Sequence, residues 1–84
     1  MSKLPPGIAL GALSARVFAV LEKHTAFPWP VLTVQCKRLG FDPSRLSAAE
    51  LAELIPLLST SIERFTSPAH GAAVRLELSK LIAG

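Results

Sequence analysis

Apolar residues recur along most of this chain at spacings of three and four, the period of an α-helix with one buried face. In the first such segment, Arg16 and Glu22 project away from the face on which the apolar residues lie. Lys23 and His24 fall in the last turn, where positive charge interacts favourably with the helix dipole. The pattern predicts a helix over residues 7–25, with one face formed by Leu10, Leu13, Val17, Val20, Leu21 and His24.

The segment TAFPWPVL separates this helix from a second one. Phe27 and Trp29 each precede a proline, and the helical region is disfavoured for a residue in that position. The sequence therefore predicts an extended corner over residues 26–29. A second helix is predicted over residues 30–39, with proline in its first turn and Gly40 as a left-handed terminator.

The third segment has the most regular apolar stripe. Ser47 and Glu50 fit the capping box, which predicts a helix over residues 48–66. Pro56 lies inside it on the side away from the stripe, where water can replace the lost hydrogen bond. We expect one helix kinked at Pro56, with a buried stripe formed by Leu51, Leu54, Ile55, Leu58, Ile62 and Phe65.

Ser67 and Pro68 predict the start of a fourth helix, over residues 68–82, in which Gly71 would permit a close helix crossing. The four segments predict a compact all-α four-helix domain with short connections. A chain of 84 residues has room for one core. We expect a single domain over residues 1–84, with residues 1–6 as a flexible N-terminus. The apolar face of the fourth helix comprises Val74, Leu78, Leu81 and Ile82.

Half of the residues are apolar, and a small domain has much surface for its volume, so some of them must face solvent or another chain. Every predicted helix carries an apolar residue outside its buried face. Isolated exposed apolar residues are also common on protein surfaces. Phe27 and Trp29 could instead fold back over the open end of the core and fasten the first helix to the second. The candidate partner-binding residues are Phe18, Trp29, Val34, Leu57 and Leu76.

The formal net charge is +3, and its excess lies in the first half of the chain. A basic patch of Lys37, Arg38 and Arg45 makes nucleic-acid binding an alternative, although the same charges are typical of helix ends and solvated loops. A helix-turn-helix is disfavoured because the connection between the second and third helices is longer than the usual 3–4 residues. The third helix would also present carboxylates to the phosphates, those of Glu50, Glu53 and Glu63.

No pattern in the sequence carries a specific chemistry. Cys36, His24 and His70 match no metal-ligand spacing, and Cys36 lies on an apolar seam where a thiol is inert. We expect no enzyme activity, no metal and no cofactor. A single cysteine favours the reducing cytoplasm. Arg16 interrupts the apolar N-terminal run well before the ~20 residues of a membrane span, so we expect neither export nor a transmembrane helix.

These observations predict a non-enzymatic small helical module that acts through protein–protein contacts. It would serve as an adaptor, a regulator or an oligomeric structural subunit. Its partner would be another protein or a second copy of itself, since the high apolar content favours a homo-oligomer. The alternative is a nucleic-acid-binding module that uses Lys37, Arg38 and Arg45.

Overall fold

The described part of the chain, residues 7–83, forms four α-helices and no strand in this computed structural model. The predicted all-α four-helix domain is therefore confirmed. The flexible N-terminus predicted at residues 1–6 lies outside the described residues. The helices are α1 (Ala12–His24), α2 (Pro28–Leu39), α3 (Ala48–Phe65) and α4 (Pro68–Ala83).

Helix α1 begins five residues later than the apolar pattern predicts. The backbone N–H of Gly11 donates to the carbonyl oxygen of Ser44 at 2.8 Å, so this segment pairs with the α2–α3 connection instead of forming another helical turn. The buried hydroxyl of Ser14 accepts from the N–H of Leu46 at 2.9 Å and strengthens the same contact. Leu10, predicted on the helix face, precedes α1.

Helix α2 begins at Pro28, two residues before the predicted start, so the extended corner predicted over residues 26–29 is wrong for Pro28 and Trp29, which are helical. Phe27, with φ −126° and ψ 58°, is not extended either. Its first intrahelical bond runs from the N–H of Val31 to the carbonyl of Phe27 at 3.2 Å. Both prolines precede that donor, and the N–H groups of a first turn have no intrahelical acceptor. Pro30 therefore costs no helical hydrogen bond, and the turn forms around Trp29. Gly40 ends the helix at φ 76°, as predicted.

Helix α3 starts with the predicted capping box, in which the Ser47 hydroxyl accepts from the N–H of Glu50 and the Glu50 carboxylate accepts from the N–H of Ser47. The helix continues without interruption through Pro56, which is exposed as expected. The single helix is confirmed, and the kink at Pro56 stays a prediction.

Helix α4 begins at Pro68 as predicted, and the N–H of His70 lies 3.4 Å from the Ser67 hydroxyl that caps it.

The principal helix contacts form a ring in the order α1, α4, α3, α2. None of the helices within residues 7–83 combines the length and apolar character needed to cross a bilayer. The centre of the bundle is filled by fully buried side chains, among them Val17, Leu21, Leu32, Cys36, Leu51, Leu54, Leu58, Ile62, Val74 and Leu78.

Three aromatic residues differ from their predicted places. Phe27, which the sequence allowed to fold back over the core with Trp29, is 68% exposed. Phe18 is 5% exposed, so the expectation that it lies outside the core is wrong. Its ring meets that of Trp29 at an angle of 62°, with 6.4 Å between centroids, because α1 turns this side toward the proline corner. Phe65 is 74% exposed, so its place in the buried stripe is also wrong. It is the last residue of α3, and the chain turns away there into α4.

The α3–α4 crossing predicts a cost for any side chain at Gly71. A Cβ there would lie 2.9 Å from the Ser59 carbonyl oxygen, a backbone atom that cannot move freely. We expect Gly71→Ala to lower the free energy of unfolding by about 1–3 kcal/mol, because overpacking outweighs alanine's better helix propensity. Urea unfolding measures this loss. Gly11→Ala is the matched control, since its Cβ would lie 3.4 Å from the nearest atom. Equal losses of unfolding free energy in the two variants would contradict the close α3–α4 crossing.

Candidate functional site

An apolar groove of about 650 Å³ lies between the start of α2 and the end of α3. Phe27 and Phe65 both line it, and they are 68% and 74% exposed. Val34, which is 55% exposed, also lines it. We call this feature the aromatic groove. Its remaining lining residues are Thr25, Ala26, Pro30, Val31, Gln35, Ser61, Arg64 and Thr66.

The backbone at Phe27 and Phe65 is positioned by the chain segments that end α1 and α3. Thr25 has an extended backbone, and its hydroxyl accepts from the N–H of Phe27 at 3.1 Å. At the other side, the hydroxyl of Thr66 donates to the Ile62 carbonyl at 2.6 Å. Thr66 itself has left the helical conformation, with φ −126° and ψ −87°. These local bonds place each phenylalanine at a helix end, beyond the packed part of the bundle.

The polar groups on the groove floor are already paired with each other. Gln35 is buried, and its side-chain amide nitrogen donates to the hydroxyl of Ser61 at 2.9 Å. This bond links α2 to α3 beneath the exposed rings. Apart from Arg64 and the threonine hydroxyls, the groove therefore presents a mostly apolar surface, which favours apolar binding partners.

The charges around the groove are positive. Arg64 is the one charged residue among the lining residues. The Nη1 atom of Arg38 lies 3.5 Å from Oε1 of Gln35, which brings a second guanidinium beside the floor. Helix α2 contains no acidic residue. Glu63, next to Arg64 in sequence, lies on the α4 side of α3, against Gly71.

The five candidate partner-binding residues do not share one surface. Val34 lines the aromatic groove, whereas Trp29 is partly buried, packs against the core and contacts the buried Phe18. Leu76 is 59% exposed and lines a different groove, of about 490 Å³, between α3 and α4. Leu57 is partly buried and lines neither groove.

The three residues of the predicted basic patch are all exposed. Lys37 and Arg38 occupy the last turn of α2, and Arg45 lies in the α2–α3 connection. That connection also carries Asp42, whose pKa is lowered by hydrogen bonds from Ser44 and by the charge of Arg45. A carboxylate therefore accompanies the arginine, which weakens attraction to phosphate.

Cys36 is fully buried, with no exposed surface. Burial raises the pKa of its thiol to about 11, with smaller contributions from the charges of Glu50 and Asp42. The thiolate is the reactive form of cysteine, so Cys36 is protonated at neutral pH and a poor nucleophile.

A charged cluster that the sequence pattern does not reveal joins the end of α1 to α4. Glu77 forms an ion pair with Lys23, and its second carboxylate oxygen lies 2.7 Å from Nε2 of His24. The Nδ1 atoms of His24 and His70 lie 3.0 Å apart. When the neutral His24 donates from Nε2 to Glu77, its Nδ1 accepts a hydrogen bond from His70. The cluster lines neither groove. Its contacts join α1 to α4.

This cluster predicts a pH-dependent contribution to stability. Hydrogen bonds from Lys23 and His24 lower the pKa of Glu77 below its ordinary value of 4.5. A carboxylate with a lowered folded-state pKa stabilises the fold above its unfolded pKa, and that contribution is lost as the pH falls through the folded value. The cluster is partly exposed, so we expect Glu77→Gln to cost roughly 0.5–1 kcal/mol at about pH 7.

The difference between wild type and Glu77→Gln should begin to narrow as the pH falls below about 4.5, where the unfolded carboxylate starts to take up protons. It should vanish once the pH lies below the lowered folded-state pKa, where the Glu77 carboxyl is uncharged in both states. Urea unfolding curves recorded at a series of pH values measure this difference in unfolding free energy. Glu53→Gln, an exposed carboxylate elsewhere in the chain, provides the control. If the difference in unfolding free energy between wild type and Glu77→Gln stayed constant from neutral to acidic pH, the ionised Glu77 carboxylate would not be the source of the stabilisation.

Among residues 7–83, no three metal-ligating side chains converge on a common point. Comparisons with protein-family models, curated proteins and solved structures found no match for this chain. The aromatic groove is the feature of the described residues that is best suited to bind a ligand, because it combines concave shape, exposed aromatic rings and adjacent charge.

Proposed function

We propose that this chain is a non-enzymatic protein-interaction module that binds another protein chain through the aromatic groove. In the cell it would act as an adaptor, a regulator or a subunit of an assembly. The observation that carries the proposal is the presence of three large, exposed apolar residues on one groove. They are Phe27, Val34 and Phe65.

The energetic reason is the cost of leaving these side chains in water. Phenylalanine side chains bury 150–250 Å² each in cores and interfaces, and apolar burial contributes roughly 25 cal/mol per Å². Covering the exposed parts of Phe27 and Phe65 would therefore contribute several kcal/mol to association. The backbone of both residues is ordered at helix ends, so only the side chains have to be immobilised on binding.

The proposal narrows the set of candidate residues given by the sequence. Val34 belongs to the groove, whereas Trp29 packs against the core and contacts Phe18. Leu57 and Leu76 lie outside the groove, so we do not assign the partner contact to them. The nucleic-acid alternative has no specific support, because Asp42 accompanies Arg45 in its patch. A cytoplasmic location remains part of the proposal and rests on the single cysteine.

The test is co-purification from cells that express the protein naturally, combined with light scattering of the purified chain. Val34→Glu should remove the bound protein, or abolish self-association, because an unpaired carboxylate in an apolar interface is costly to desolvate. Leu76→Glu is the matched control, since Leu76 is exposed to a similar degree on another surface. If both variants co-purified with the same protein as wild type and had the same molecular mass, the proposal would be contradicted.

A further inference from the structure

We propose that the natural occupant of the aromatic groove is an amphipathic α-helix of a different protein, with acidic residues beside its apolar face. This inference rests on the proposed function and specifies its partner. It follows from the exposure of the rings that line the groove, from its mostly apolar lining and from its charge.

A helix fits the groove better than an extended peptide does. Strand addition requires the free edge of a sheet, and residues 7–83 contain no strand. A polyproline segment exposes its backbone carbonyls and needs donors around it. The strongest donors at the groove are the guanidinium groups of Arg64 and Arg38, which bind a carboxylate more strongly than a neutral carbonyl. A helix satisfies its own backbone and presents only side chains, at positions i, i+3 or i+4, and i+7.

A helix also fits better than a small amphiphile. Small ligands usually bury most of their surface in a concave pocket. Phe27 and Phe65 remain 68% and 74% exposed while lining the groove, so a small molecule on the floor would leave much of both rings in water. A helix about 10 Å across is wide enough to cover them.

Charge complementarity selects an acidic helix. Arg64 lines the groove, Arg38 reaches Gln35 beside its floor, and no carboxylate lies among the lining residues. Carboxylates flanking the apolar face of the partner would pair with these guanidinium groups, which suit carboxylate geometry. A second copy of this chain fits less well, because a twofold interface places the same patch on both sides and would bring like charges together.

The test uses two synthetic peptides of roughly 18 residues, stapled to remain helical. Both carry leucine at i, i+4 and i+7; one has glutamate and the other lysine beside the apolar face. Fluorescence anisotropy should show at least about tenfold tighter binding of the glutamate peptide, weakening as salt is added. Arg64→Glu should reverse the preference, and Leu76→Glu should leave it unchanged. Circular dichroism checks that each variant is folded. Arg38→Glu provides a second charge reversal and should also weaken the preference for the glutamate peptide.

Equal affinity for the two peptides, or binding of neither, would overturn the acidic-helix proposal. Displacement of the glutamate peptide by dodecanoate at comparable concentration would identify a small amphiphile as the occupant instead, and self-association abolished by Val34→Glu would identify a second copy. In that last case the proposed function would stand, because the groove would still bind a protein. The proposed function itself would fail if Val34→Glu left both the co-purified protein and the molecular mass unchanged.

Discussion

Phe65→Glu is expected to weaken binding of the glutamate peptide by about 30-fold or more while leaving the fold intact. Aromatic anchors at the centre of an interface commonly contribute 2 kcal/mol or more, and a carboxylate at this position would also repel an acidic partner. Phe65 is 74% exposed, so its replacement removes few internal contacts, and surface substitutions usually change stability by less than about 0.5 kcal/mol.

Peptide titration and thermal melting of the same samples measure the two effects separately. Leu76→Glu is the control, because it adds the same charge at an exposed apolar position outside the groove. A large fall in melting temperature for Phe65→Glu would show that the ring belongs to the core. Unchanged peptide affinity would show that Phe65 takes no part in binding.

Leu54→Ala is expected to lower the free energy of unfolding by about 2–5 kcal/mol, the range for buried leucines that leave a cavity. Leu54 is fully buried at the centre of the α3 stripe. Domains of this size lose roughly 4–8 °C of melting temperature for each kcal/mol. The variant should therefore melt at least about 8 °C below wild type.

Calorimetry or circular dichroism measures this shift, and Leu76→Ala is the matched control. The same atoms are removed there from a side chain that is 59% exposed, so the change should stay within about 0.5 kcal/mol. Similar losses at both positions would contradict the assignment of buried and exposed faces on α3 and α4.

The sequence predicts the helices well wherever the determining interactions are local. The capping box of Ser47 and Glu50, the left-handed Gly40 and the Ser67 cap depend on neighbours within a few residues. The apolar stripe of α3 is equally local. The start of α1 is different, because Gly11 bonds to Ser44, a residue in the distant α2–α3 connection.

The groove could not be predicted in the same way. Helical periodicity assigns Phe65 to the buried face, but it does not indicate where the neighbouring helices stop covering that face. Phe27 and Phe65 are brought to one groove only by the packing of α2 against α3. Of the groove residues, Val34 is among the predicted candidates because it is an apolar residue opposite the apolar seam of α2. The pairing of His24 with Glu77 likewise depends on tertiary packing.

Photo-crosslinking in cells that express the protein naturally tests the central claim most directly, because it reports what contacts the groove without disrupting it. A photoreactive amino acid would replace Val34 in one sample and Leu76 in another, since both residues are exposed. We predict that the group at position 34 becomes joined to another protein chain and that the group at position 76 does not. Crosslinking of equal extent at both positions, or at position 76 alone, would contradict the assignment of the aromatic groove as the partner-binding surface.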